Sequence, residues 1–373
     1  MRGYRLGEIA GFEINIDWSW LIILFLVTYS LAAYYFPDVN PGMSVPVNWV
    51  MGFIAALLLF ASVLAHELMH SVVARRYGIE IKGITLFIFG GVSQTGAEPE
   101  TPKVEFYMAI AGPLTSLILG GAFYLLAAVG ASGKWPMPVV AITGYLGLIN
   151  IILAIFNMVP GFPLDGGRVL RSGLWAWTKS LERSTRYASY SGQGFGYLLM
   201  GFGLFNILGG AFIGGIWMIF IGWFLAGAAK SSYEQVVFRE ALSGVDVERV
   251  MTAEVPTVSP DVSVEDFVTD YLMRQEFTCY PVVEDDRILG VVSIDEVRAL
   301  PRDRWMYTPV REITEPVESE MKVSKEDGAW DALMKLAAED RRRLLVMHNG
   351  TLDGTVTQEN ILRLVRTKMQ LGV

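Results

Sequence analysis

The sequence is poor in cysteine, histidine and charge. Its 373 residues include one cysteine, Cys279, so an intrachain disulfide is excluded, and a reducing compartment suits that part of the chain. Charged residues make up 18% and hydrophobic residues 52%, a balance that excludes an ordinary soluble enzyme. Histidine occurs three times, and two of the three, His66 and His70, are four residues apart.

The few charges are unevenly distributed along the chain. Residues 1–240 contain 14 Lys/Arg and 13 Asp/Glu, whereas residues 241–373 contain 16 and 25. The pattern predicts an apolar domain at 1–230, a linker at 231–244 and an acidic soluble domain at 245–373. Because nucleic-acid binding needs a basic surface, the acidic C-terminal part argues against nucleic acid as a partner.

Long apolar runs predict a polytopic α-helical membrane protein with six transmembrane helices in the lipid bilayer. Four runs are single spans, and a fifth is divided into two spans by Gly209-Gly210, with its other glycines at close-packing positions. Lys and Arg cluster at the N-terminus and after the second, fourth and sixth spans, which predicts a multi-pass protein of the cell membrane with both termini cytoplasmic. The five runs are Trp18–Phe36, Val47–Val73, Val104–Val129, Val139–Met158 and Ala188–Ala229.

The segment Ile79–Gly96 differs from these runs. It is rich in β-branched and aromatic residues and contains the pair Gly90-Gly91, which indicates a turn or bulge. A third membrane helix is the alternative, but Ile84–Phe89 is too short to span a bilayer. We therefore expect a short membrane-associated β-hairpin.

The second apolar run contains His66-Glu67-x-x-His70. On a helix the two imidazoles lie on one face about one turn apart, where they can hold zinc while Glu67 acts on a bound water. Ionisable residues in hydrocarbon cost about 2.5–3.5 kcal/mol each on insertion scales, so they are rare there without a function. The alternative is a helix whose polar residues satisfy one another.

Two histidines leave a catalytic zinc ion short of a third protein ligand. The best candidate is Asp165, which is the sole carboxylate between Glu105 and Glu182. Because Pro and Gly residues interrupt the helix before it, we expect Asp165 on non-helical backbone. Asn157, two turns upstream, is a candidate to stabilise the oxyanion or hold the substrate backbone, and an interhelix hydrogen bond is the alternative.

The motif at 66–70, together with Asn157-x-x-Pro160-x-x-Pro163-Leu164-Asp165-Gly166-Gly167-Arg168, resembles the site-2 protease family of intramembrane zinc metalloproteases. The resemblance implies one zinc on His66, His70 and Asp165, catalytic Glu67, and cleavage of transmembrane proteins within the bilayer (regulated intramembrane proteolysis). It also implies that Gly90-Gly91 lies in a strand that receives the substrate. After Ala111-Gly112-Pro113 the family commonly has asparagine, but this chain has Thr115-Ser116, a change that we assign to helix packing rather than to the zinc site.

The C-terminal part contains an internal repeat, in which Gly290–Val297 matches Gly354–Ile361 at an offset of 64 residues. The repeat resembles a soluble α/β pair of CBS domains at about 245–302 and 308–370. Such pairs bind adenosine nucleotides through an aspartate three residues after Ser or Thr. Glu296 and Asn360 occupy those positions, so the resemblance leaves two roles open: nucleotide sensing and homodimer formation.

Three functions remain in competition. The leading hypothesis is an intramembrane zinc endopeptidase with a cytoplasmic CBS pair that regulates it or mediates dimerisation. The second is a CBS-gated transporter or channel for a metal ion, since intramembrane polar residues also mark ion paths. The third is a non-catalytic binding protein that retains the fold, although the complete set of His66, Glu67, His70 and Asp165 argues against it.

Overall fold

The computed structural model describes residues 4–88, 90–95, 99–253, 255–274, 279–285, 287–317, 321–338, 341, 343–348 and 351–371. The chain divides into two compact units, Met1–Val236 and Val237–Val373. The division falls within the predicted linker at 231–244, and that segment is helical as far as Leu242.

Helices dominate the first unit, and a π-helical turn at Leu31–Tyr35 joins the first two helices. Four helical segments, the first of them Trp18–Val39, begin and end within three residues of the predicted apolar runs, because the apolar stretch sets how far the helix continues. The helices are α1 (Trp18–Ser30), α2 (Phe36–Val39), α3 (Val45–Arg76), α4 (Pro102–Ser132), α5 (Met137–Asn157), α6 (Asp165–Thr178), α7 (Leu181–Leu208) and α8 (Phe212–Leu242).

Five helical segments of the described chain are long and apolar enough to cross a membrane, one fewer than the six predicted. The difference lies in α7, which has 28 residues but begins with Glu182, Arg183 and Arg186 and contains many small polar residues. The unit is a polytopic membrane domain whose qualifying segments are Trp18–Val39, α3, α4, α5 and α8.

The predicted β-hairpin is present but belongs to a larger sheet. It consists of β3 (Ile81–Phe87) and β4 (Gly90–Thr95), and β2 (Phe12–Ile16) pairs in parallel with β3. The N-terminal strand β1 (Tyr4–Ile9) completes the order β1-β2-β3-β4. The sheet therefore buries a face that a two-stranded hairpin alone would expose, and β4 lies at one of its edges.

Glycines permit close packing of α7 on α8, as the sequence predicted. A Cβ atom on Gly203 would lie 2.6 Å from the carbonyl oxygen of Gly215, and a Cβ on Gly196 would lie 2.6 Å from that of Gly222. The bare backbones allow the two helices to approach more closely than any side chain would permit.

The second unit contains the predicted repeat. Each half has two antiparallel strands followed by a helix, and each sheet also takes a short strand from the other half: β5 pairs with β11, and β8 pairs with β7. The exchange ties the two halves into one CBS-type unit of mixed sheets. Its elements are β5 (Thr252–Ala253), α9 (Val264–Asp266), β6 (Cys279–Glu284), β7 (Arg287–Ser293), α10 (Ile294–Ala299), β8 (Glu315–Pro316), β9 (Lys322–Val323), α11 (Ala329–Ala338), β10 (Arg343–His348), β11 (Thr351–Thr357) and α12 (Gln358–Leu371).

Candidate metal centre

His66, His70 and Asp165 converge in the membrane domain. The Nε2 atoms of His66 and His70 lie 3.0 and 3.3 Å from Oδ2 of Asp165. Each residue offers one ligand atom, and the three atoms lie within 4.8 Å of one another. Both imidazoles are buried, at 3% and 7% exposure, so the site is shielded from bulk solvent.

Asp165 reaches the histidines from the first residue of α6, which corrects the expectation of non-helical backbone. The Pro/Gly segment does interrupt the chain after α5, but Leu164 has an extended conformation and acts as the N-cap, so the helix starts at Asp165. A carboxylate in the first turn is also favoured by the positive end of the helix dipole.

The second nitrogen of each imidazole has its own partner. Nδ1 of His70 donates to the carbonyl oxygen of Met108 at 2.6 Å, and Nδ1 of His66 lies 2.9 Å from Oγ of Ser116. Since a carbonyl can only accept, Nδ1 of His70 carries a proton, which leaves Nε2 of the neutral ring able to coordinate a metal. A ring nitrogen held by a backbone carbonyl in this way is typical of metal-binding histidines.

The spacing of the donor atoms fits zinc. Tetrahedral zinc with ligand bonds of about 2.0–2.2 Å separates its ligand atoms by roughly 3.3–3.6 Å, and the two N···O distances here, 3.0 and 3.3 Å, are close to that range. Two imidazoles and one carboxylate also leave a fourth position for water or substrate, as in catalytic zinc sites.

Gly112 on α4 makes the space that the centre needs. A Cβ atom on this residue would lie 2.5 Å from Nε2 of His66 and would also collide with Nε2 of His70. Gly112 stands in the segment Ala111-Gly112-Pro113, and nothing local in the sequence distinguishes it from other membrane glycines. Ser116, assigned from the sequence to helix packing, also contacts the candidate site, because its Oγ lies 2.9 Å from Nδ1 of His66.

Glu67 lies next to the edge strand β4. A Cβ atom on Gly91 would lie 2.5 Å from Cγ of Glu67, so the bare backbone of the strand passes directly over this side chain. One turn further along α3, Oγ of Ser71 lies 3.0 Å from Oγ of Ser93. The strand β4 therefore runs alongside α3, the helix that contains the two histidines.

Asn157 is the last residue of α5 and is half-buried. Its side chain forms no hydrogen bond with the other described residues; the interhelix bond is made instead by Asn150, which donates to Oγ of Ser62 at 3.3 Å. The backbone after Asn157 packs tightly on α6, because a Cβ on Gly166 would lie 2.4 Å from the carbonyl of Met158. The position of Asn157 is thus set by contacts with the helix that begins at Asp165.

In the second unit, Glu296 and Asn360 are engaged in local structure. Oε2 of Glu296 accepts from the backbone N–H of Ser293 at 2.7 Å, which forms a capping box for α10. Nδ2 of Asn360 donates to Oγ1 of Thr252 at 3.1 Å. Both side chains therefore already have partners at the helix N-termini where a ribose would be bound.

A cavity of about 960 Å³ lies between the two halves of this unit, and Glu296 is in its lining. Four arginines line it as well, and one of them, Arg341, is paired with Glu315 at 3.0 Å. The carboxylates of Asp295, Glu296, Glu315 and Glu359 line it too, so the lining has mixed charge, in which the arginine forks offer contacts for phosphate groups. The arginines are Arg341, Arg343, Arg363 and Arg366.

Comparison with known proteins finds relatives of both units of the chain. The profile of peptidase family M50 matches residues 54–135 and 127–200, and that of the CBS domain matches residues 247–302. Rip3 of Mycobacterium tuberculosis is 37% identical over 96% of this chain and 92% of its own length, and sll0528 of Synechocystis is 36% identical over 97% and 95%. The names of both describe them as zinc metalloproteases. A solved site-2 protease from Methanocaldococcus jannaschii is 27% identical, covers 62% of this chain and 95% of its own, and has a TM-score of 0.43.

Proposed function

The chain belongs to peptidase family M50, the zinc metalloproteases of the site-2 protease type, and we propose that it cleaves transmembrane segments of other membrane proteins inside the bilayer. The observation that supports this substrate class is the position of the site. His66, Glu67 and His70 lie on α3, a helix long and apolar enough to span the membrane. A peptide bond that reaches them must itself enter the membrane domain.

His66, His70 and Asp165 are the residues that would hold zinc. A zinc ion held there would supply Lewis acidity for the scissile carbonyl and for the attacking water. Glu67 then acts as the general base that takes the proton of the attacking water and passes it to the leaving nitrogen. Asn157, whose amide is free of bonds to the described residues, donates to the developing oxyanion or to the substrate backbone.

The edge strand β4 is the proposed docking site for an unwound substrate segment. An extended peptide that adds to this edge is held by main-chain hydrogen bonds and runs beside Glu67. The bare backbone at Gly91 supports this role, because it keeps the strand close to the catalytic side chain.

The CBS pair is the proposed regulatory part. An adenosine nucleotide in the cavity would place its phosphates among Arg341, Arg343, Arg363 and Arg366. Glu296 and Asn360 are the candidates for ribose contacts; Glu296 lines this cavity, and Asn360 is outside its lining. Homodimer formation through the same unit is the alternative role. In the proposed topology both termini, and with them the CBS pair, are cytoplasmic, as the Lys/Arg distribution predicts.

Family membership favours a protease over a metal transporter. Measurements of metal content and of substrate cleavage distinguish these two functions experimentally. We expect one zinc per chain in the purified protein and in Glu67→Gln, but cleavage of a single-span membrane substrate only by the wild type. His66→Ala and Asp165→Ala should lose zinc. Full activity of Glu67→Gln, or metal flux in liposomes without cleavage, would contradict the proposed mechanism.

A further inference from the structure

A buried ion pair links two helices of the metal centre. Glu105 on α4 and Arg171 on α6 have exposures of 0% and 5%. Nε of Arg171 donates to Oε1 of Glu105 at 2.5 Å, and Nη2 donates to the same oxygen. Arg171 is one of the cations that follow the fourth predicted span, where the sequence alone favours a basic loop. In the structure it is buried, because α6 packs on α4.

Arg171 is held on three sides. Besides Glu105, its Nη1 lies 3.5 Å from Oγ1 of Thr185 on α7, and its guanidinium carbon lies 5.1 Å from the ring centre of Phe162, in the segment before α6. Oε2 of Glu105 has no hydrogen-bond partner among the described residues, so the contact of this carboxylate with the protein runs through Arg171. The pair therefore restrains both the rotation of α6 about its axis and its position along α4.

Glu105 begins a stripe on α4 that touches two of the three proposed zinc ligands, His66 and His70. The spacing of Glu105, Met108, Gly112 and Ser116 places them on one face of the helix. Met108 and Ser116 orient His70 and His66, and Gly112 leaves room for the metal. Among the described residues, the bond from Glu105 to Arg171 is the polar contact of α4 with α6, the helix that starts at Asp165.

We infer that Glu105 and Arg171 are positioning residues, which set the distance of Asp165 from His66 and His70 and thereby the affinity of the centre for zinc. This inference depends on the proposed metal site. A merely structural ion pair would affect folding and leave the zinc affinity of the folded protein unchanged.

The test measures zinc affinity of the purified full-length protein by competition with a chelator, and thermal stability without zinc. Glu105→Gln and Arg171→Met should weaken zinc binding about 10- to 100-fold, the effect typical of residues that orient metal ligands. The matched control is Glu234→Gln, which removes the carboxylate of an exposed pair with Lys230 and should leave zinc affinity unchanged.

The double variant E105Q/R171M separates positioning from folding. It leaves no unpaired buried charge, so its thermal stability should recover relative to the single variants, because such pairs are replaceable by neutral groups. Zinc affinity should stay at least 10-fold below wild type, and the absorption spectrum of the cobalt-substituted protein should differ from that of the wild type. Return of zinc affinity together with stability would overturn the inference.

A wild-type protein that binds no zinc, or an Asp165→Asn variant with unchanged affinity, would instead contradict the metal site itself. The two failures are distinguishable, because the metal site is tested by the wild type and Asp165→Asn, whereas the positioning role is tested by the Glu105 and Arg171 variants.

Discussion

At the scale of single residues, the centre depends on positions that contribute no ligand. Met108 contributes only a carbonyl oxygen, Ser116 a hydroxyl and Gly112 the absence of a side chain. A motif search finds the ligands because their chemistry is specific and their spacing is local. The supporting positions have no such signature, since any residue has a carbonyl and membrane helices contain many glycines.

Gly112→Ala should abolish tight zinc binding. The added methyl would occupy the space beside both Nε2 atoms, and we expect zinc affinity to fall at least 10-fold. The helix should persist, because Ala is a better helix former than Gly. Gly121→Ala on the same helix is the matched control, since its Cβ meets nothing within 4 Å. Metal analysis and circular dichroism give the two readouts, and a zinc-replete Gly112→Ala protein would contradict the prediction.

The thiol of Cys279 should react slowly with alkylating reagents in the folded protein. Burial raises its pKa to about 11 by penalising the thiolate, against the weaker lowering effect of Arg343. Because only the thiolate reacts, iodoacetamide labelling should rise about tenfold per pH unit between pH 7 and 10 and stay far below the rate in detergent-denatured protein. Equal rates in folded and denatured protein at pH 8 would show that the thiol is not buried.

At the scale of secondary-structure elements, α4 and β4 assemble the site around α3. The sequence predicted both elements, as an apolar run and as a β-branched segment with Gly90-Gly91. It did not predict that β1 and β2 extend the hairpin into a sheet, although Phe12 and Ile14 alternate with polar residues as in a half-buried strand. Alternation over only five residues does not by itself predict a strand, and the pairing partner β3 is far away in the sequence.

Gly91→Ala should impair cleavage without removing zinc. The methyl would push against Cγ of Glu67, and a displacement of about 1 Å at a catalytic group lowers the rate by about 100-fold. Gly121→Ala, whose Cβ meets nothing within 4 Å, is the control and should cleave normally. Steady-state cleavage and metal analysis on the same preparations test this, and loss of zinc from Gly91→Ala would point to a wider collapse of the site.

At the scale of the whole molecule, the protein combines a membrane protease domain with a soluble unit that has a large cavity. Saturating ATP or AMP should raise the unfolding temperature of that unit by a few degrees, since a ligand at 100 times its Kd stabilises by about 2.7 kcal/mol. Arg363→Glu should abolish the shift, and Arg298→Glu, outside the cavity lining, should retain it. No shift in the wild type would leave dimerisation as the proposed role, which light scattering can test.

The sequence by itself determined the class of the protein and its chemistry. Apolar length decides which segments enter a bilayer, and the spacing of His66, Glu67 and His70 on one helix is a local property, so both can be inferred from residue order. Tertiary structure alone decided most of what lies opposite that helix. The sequence names Asp165, 99 residues after His66, as the candidate third ligand, but it does not indicate that Gly112 leaves space beside both imidazoles or that Glu105 meets Arg171 across 66 residues. Contacts at such separations depend on how helices pack, which no local pattern specifies.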